Sequence, residues 1–127
     1  MSLDITPTVP EGRPLIQGYG DLRFRIANTR HDGGVLITPA GVLAWNVTHP
    51  QGVTAEVLAP VADMADTLDI LIVGCGAAFT DPPAALRDHL RGMGVVLEWM
   101  DTGAACRTFN VLLSEERRVA AALIAVA

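Results

Sequence analysis

Leu68-Asp-Ile-Leu-Ile-Val-Gly-Cys-Gly76, then Asp81-Pro-Pro-Ala-Ala-Leu-Arg-Asp-His-Leu-Arg-Gly-Met-Gly94, then Val95-Val-Leu-Glu-Trp-Met100, is the stretch that decides the fold. The run Leu68–Val73 is apolar apart from Asp69, as expected of a strand covered on both faces. It stops at Gly74-Cys75-Gly76. Asp81 before two prolines reads as an N-cap with proline in the first helical turn. Leu86, Leu90 and Met93 continue that helix, and Gly92 and Gly94 end it. Val95–Met100 is the next strand. Strand, helix, strand at these lengths is a βαβ unit, so the two strands should run parallel with a right-handed crossover.

Downstream, Asp101-Thr102 reads as a second N-cap, and Ala104, Ala105, Phe109, Leu112 and Leu113 as the apolar face of the helix it starts. Arg118–Val126 reads as a tightly covered strand. Upstream, Thr54 caps a short helix carrying Val57, Leu58, Val61 and Met64. Val35–Thr38, a Pro39-Ala-Gly41 turn and Val42–Val47 form a β-hairpin. Leu22–Ile26 alternates apolar and charged residues, the pattern of a half-buried strand. Asn28–Gly34 reads as turn, Arg13–Gly20 as irregular chain, and residues 1–12 as an extended arm. The reading is one α/β domain over residues 13–127, with a mixed, partly parallel sheet and an N-terminal β-hairpin.

The chain has 127 residues, half of them hydrophobic, and a formal net charge of −5. This length buries enough surface to fold without a disulfide or metal. No apolar run reaches the ~20 residues needed to cross a bilayer. The N-terminus has no basic and apolar leader pattern. The expectation is a cytoplasmic protein with reduced Cys75 and Cys106 and no direct membrane insertion. The acidic balance, with Arg117-Arg118 preceded by Glu115-Glu116, argues against nucleic acid as a partner. The basic residues are arginines, which favour paired contacts with anions or carboxylates.

Two segments hold residue types suited to a site. Gly74-Cys75-Gly76 lies at the carboxyl end of a parallel strand, where α/β sheets bind ligands. The dinucleotide fingerprint would need a third glycine at position 79, which is Phe79. The bland alternative is a strand-to-loop turn needing positive φ. Asp101-Thr-Gly-Ala-Ala-Cys-Arg-Thr-Phe-Asn110 starts a helix, where free N–H groups attract anions. In the bland alternative Asp101 caps the helix, Arg107 pairs with an acid and Asn110 satisfies backbone groups. The candidate ligand-binding residues are Gly74, Gly76, Asp101, Thr102, Arg107, Thr108 and Asn110. Cys106 would need a base beside it to act as a nucleophile, and His31, His49 and His89 are not spaced as a set. No metal-ligand spacing and no nucleophile-elbow, zinc-protease or phosphate-loop motif is present. No catalytic set, metal or cofactor is therefore expected. Trp45 and Trp99 fall in strands and read as core or interface residues.

Leu71–Gly76, Met100–Leu113 and Glu116–Ile124, with Gly18-Tyr19-Gly20 and Val35–Trp45, resemble the Mth938-like family of domains of unknown function. The Met-Asp-Thr…Ala-Ala…Arg-Thr-Phe-Asn string carries most of that resemblance. Cys75 departs from the small residue or threonine expected there. The resemblance implies a three-layer α/β fold and no established enzymatic activity. A mitochondrial relative looks like an assembly factor for respiratory complex I. That implies an interaction or assembly protein with a protein partner, acting on respiratory-complex or membrane-associated proteins. The competing expectation is a small-molecule or anion-binding protein or enzyme, its site between Gly74–Gly76 and Asp101–Asn110.

Overall fold

The computed structural model describes residues 13–127; the expected arm over residues 1–12 lies outside them. The chain runs β1 (Ile16–Gly20), β2 (Arg23–Ile26), β3 (Thr29–Asp32), β4 (Gly34–Thr38), β5 (Gly41–Trp45), α1 (Ala59–Ala62), β6 (Ile70–Gly74), α2 (Leu86–Arg91), β7 (Val96–Met100), α3 (Thr102–Ser114) and β8 (Val119–Leu123). A five-stranded mixed sheet has the order β5-β4-β8-β6-β7, and β1-β2-β3 form a separate antiparallel sheet. β6 lies parallel to both β7 and β8, while β4 is antiparallel to β5 and β8.

Alternation along the central strands splits the core into two layers. Leu36, Leu71, Val73, Cys75, Ala120 and Ala122 face one side, packed with Leu58, Val61, Leu86, Leu90 and both tryptophans. Ile37, Ile72, Ala121 and Leu123 face the other, packed with Ala105, Cys106 and Phe109 of α3 and with Phe24 and Ile26 of β2. The fold is therefore three-layered: the segments around α1 and α2, the five-stranded sheet, and α3 with the small sheet. Every residue of β6 and β8 is buried, which explains why both read as apolar runs without alternation. The indole N–H groups are satisfied, Trp45 donating to the Val57 carbonyl at 3.0 Å and Trp99 to the Thr80 carbonyl at 2.6 Å.

The expected βαβ unit and β-hairpin are present, with four departures. Arg13–Gly20 and Asn28–Gly34 are not simply irregular, because they contribute β1 and β3. The two-residue turns joining β1, β2 and β3 place Asp21 and Leu22, then Ala27 and Asn28, at positive φ. That is the type I′ pattern without the glycine that normally signals it. The helix expected from Thr54 is broken into 3₁₀ turns at Glu56–Leu58 and Ala65–Thr67 around the single turn α1, and Thr54 caps nothing. Pro60 lacks the N–H that a continuous helix would need there. Asp81 does not cap α2, which starts five residues later behind Ala85 at φ +69. Residues before proline are driven out of helical geometry, so Pro82 and Pro83 delay the start.

Candidate functional site

The carboxyl ends of β6 and β7 lie side by side, with Gly74 registered on Met100. The two expected segments therefore meet. Asp101 adopts extended backbone and its Oδ1 accepts from the Ala104 N–H at 2.9 Å, capping α3. The next residue, Thr102, is fully buried. Its hydroxyl accepts from the Gly76 N–H at 3.1 Å and donates to the Ile124 carbonyl at 2.8 Å. Its own N–H donates to the Gly76 carbonyl at 2.9 Å. One side chain thus bridges the exits of β6, β7 and β8.

The two glycines serve different needs. A Cβ on Gly74 would stand 2.9 Å from the Thr102 Cα, too close for any side chain. Gly76 has φ +115 and open space around it, so its requirement is conformational. At Gly74 the inside of the sheet edge is filled by Thr102.

Farther along α3, Asn110 aligns with β1. Its Oδ1 accepts from the Ile16 N–H at 2.9 Å and its amide donates to the Ile16 carbonyl at 2.7 Å. The side chain behaves as a one-residue extra strand and satisfies the outer edge of the small sheet. Arg107 is exposed, and its guanidinium donates to the Tyr19 hydroxyl at 3.4 Å rather than to an acid. Thr108 is partly buried. Tyr19 approaches so closely that a Cβ on Gly103 would be 2.7 Å from its hydroxyl. Sequence reasoning missed Gly103 and the Tyr19–Arg107 contact; the available signal was a lone glycine in the first turn of a helix.

The thiols lie in different core layers on opposite faces of the sheet, and both are free. Burial pushes the Cys106 thiol up to about 12, with Asp101 adding to the rise and Arg107 opposing it. A neutral thiol in that position is a core residue rather than a nucleophile. Cys75 is also buried, its sulfur 3.6 Å from the Ala78 carbonyl. His49 and His89 are exposed. No grouping of His, Cys, Asp or Glu among the described residues could hold a metal ion. No helix among them is long and apolar enough to cross a membrane.

The concavity adjoining this region through Tyr19 is an open groove of about 420 Å³ on the small sheet, lined by Gly18, Gly20, Arg23, Arg25 and Arg30 among others. No sequence expectation pointed there.

An uncharacterised protein of Rhodobacter capsulatus is 40% identical over 86% of this chain and 82% of its own length. NADH dehydrogenase [ubiquinone] 1 alpha subcomplex assembly factor 3 of Danio rerio is 33% identical over 87% of this chain. The chain spans 63% of that assembly factor's length. A Mth938-like domain from Bordetella pertussis, solved in solution, superposes with a TM-score of 0.77 at 28% identity, over 98% of this chain and 92% of that domain. Residues 16–124 match the family described as protein of unknown function (DUF498/DUF598). The chain belongs to the DUF498/DUF598 family and has its Mth938-like fold.

Proposed function

We propose that this protein is a non-enzymatic assembly factor that holds a protein client while a respiratory NADH dehydrogenase or another membrane-associated protein is put together. The observation that carries this reading is how the polar groups are used. Asp101, Thr102 and Asn110 are all engaged with backbone, and the Cys106 thiol is held neutral. Meanwhile Tyr19, Leu22, Leu43, Phe79, Val96 and Val111 stand exposed, as contact residues for another protein would. The assembly factors related to the chain at about a third identity support the same reading. We place the protein in the cytoplasm, where two unpaired cysteines stay reduced. Crosslinking in intact cells followed by capture in mild detergent should recover a defined partner, and deleting the gene should lower the amount of assembled complex. Unchanged complex levels with no crosslinked partner overturn the reading.

A second reading keeps a small anion at the outer rim of the same edge. It is favoured by the exposed Arg107 guanidinium held by Tyr19 and by the open space at Gly76. Gly74, Asp101, Thr102, Thr108 and Asn110 would then position that rim. A metabolite or phosphate that raises the melting temperature of the native protein, but not of Arg107→Ala, would establish it. No shift across a panel of anions would remove it.

A further inference from the structure

The outer face of the small sheet is built differently from the rest of the surface. In β2, Phe24 and Ile26 point into the core while Arg23 and Arg25 point out. The register puts Gly20 and Asp32 on either side of Arg23, and Gly18 and Arg30 on either side of Arg25. One flanking strand thus presents glycine only, and the other adds a third arginine. Gly20 needs its positive φ of +132, whereas Gly18 has neither positive φ nor any atom within 4 Å of where a Cβ would stand. The fold itself does not require Gly18 to lack a side chain, yet its bareness leaves the groove floor open.

The charges on this face are also unbalanced. Arg25 and Arg30 sit directly opposite each other across the strands, an arrangement that like charges disfavour. Arg30 is paired with Asp32 at 2.9 Å. Arg23 and Arg25 form no ion pair among the described residues. Asp21 at the turn is the acidic side chain among the groove's lining residues, which also include Ala127. Three of the nine arginines of an acidic protein therefore gather on one small face.

We propose that this groove is a docking surface for an extended acidic segment of a protein partner, laid along β2 with carboxylates on alternate residues. Arg23 and Arg25, two residues apart on one strand, are about 7 Å apart along the chain, the spacing of alternate side chains in an extended segment. Arg30 stands beside Arg25 across the strand and can share its carboxylate. The guanidinium fork accepts a carboxylate with two parallel hydrogen bonds. The inference rests on the client-binding reading above and names the chemistry of the client.

Calorimetric titration of the whole protein at low ionic strength tests it with the peptide (Glu-Thr)₄ and the same-composition block peptide Glu₄Thr₄. The alternating peptide should bind several-fold more tightly, and R23S/R25S/R30S should weaken it about tenfold or more, each exposed pair contributing a modest factor. Added salt should weaken binding. Arg25→Glu should lose binding while its melting temperature holds or rises, because it places an acid opposite Arg30. That separates lost binding from lost folding. Equal binding of the two peptides, no binding, or an unaffected triple variant overturns the inference. So does inorganic phosphate competing at similar concentration, which marks a small-anion site, or a native dimer that the triple variant dissociates, which marks a second copy as the occupant. If gene deletion leaves complex assembly intact while the peptide still docks on the arginines, the assembly reading falls and the groove stands.

Discussion

The carboxyl edge of the five-stranded sheet and the outer face of the three-stranded sheet invert each other. The first has the residue types of a site, Gly-Cys-Gly beside Asp-Thr, and uses them to close itself. Thr102 fills the space over Gly74 and ties three strand exits together. The second has the sequence of ordinary turns and charged strand, yet forms an open groove in which Arg23 and Arg25 make no ion pair among the described residues. Polar residues at a sheet edge are thus ambiguous until their partners are counted. A hydroxyl with a donor and an acceptor already satisfied has little left for a ligand.

This contrast can be broken at several points. Thr102→Val keeps shape but strands the Gly76 N–H and the Ile124 carbonyl, so denaturant unfolding should show a loss of about 3 kcal/mol. A loss under about 1 kcal/mol would mean water replaces the hydroxyl and the edge is not closed. Gly74→Ala forces a Cβ against the Thr102 backbone and should cost about 2 kcal/mol. Cys106 makes a pH test of the same region. Its folded-state value near 12 lies above that of an unfolded thiol, so the native state keeps a proton that the unfolded state releases. Stability should be intact below about pH 8.5 and fall above it by up to ~1.4 kcal/mol per pH unit. Cys106→Ala should flatten that slope. A slope equal in both proteins places the cause elsewhere.

The open sheet should respond weakly. Ala27→Gly relieves a positive φ of +48; set against the greater freedom of glycine in the unfolded chain, the net gain is about 0.5 kcal/mol. Gly18→Ala should change stability by less than ~0.5 kcal/mol, since nothing lies near its Cβ position. A large loss at Gly18 would show that its bareness serves the fold, which would weaken the argument for the groove.

The parts of the molecule visible in the sequence are those where periodicity and burial agree. β6 and β8 are buried over their whole length, so their apolar runs mark strands. The α3 face repeats at helical spacing and its Asp101 cap was legible, although Cys106 joins the buried stripe while Ala104 and Leu112 are only partly covered. β1 and β3 were hidden because their turns use Asp-Leu and Ala-Asn, and because β3 is polar on an exposed edge. The meeting of Gly74–Gly76 with Asp101–Thr102 followed from the parallel pairing. That Thr102 would reach past β6 to Ile124 did not, because it depends on β8 lying beside β6, a long-range choice that no local pattern records.

That choice also sets an order of events for a chain emerging from the ribosome. β8 follows every other strand in the sequence, yet it lies between β4 and β6 at the centre of the sheet. Until Val119–Leu123 is available, the β4–β5 hairpin and the β6–β7 pair are separate pieces with open inner edges. Such edges are templates for wrong pairing. The sheet is sealed by its last segment, so synthesis and folding are coupled more tightly here than in a fold that grows from one end. A chain truncated before Val119 would carry two exposed strand edges, a form that chaperones and proteases would meet in place of the native protein.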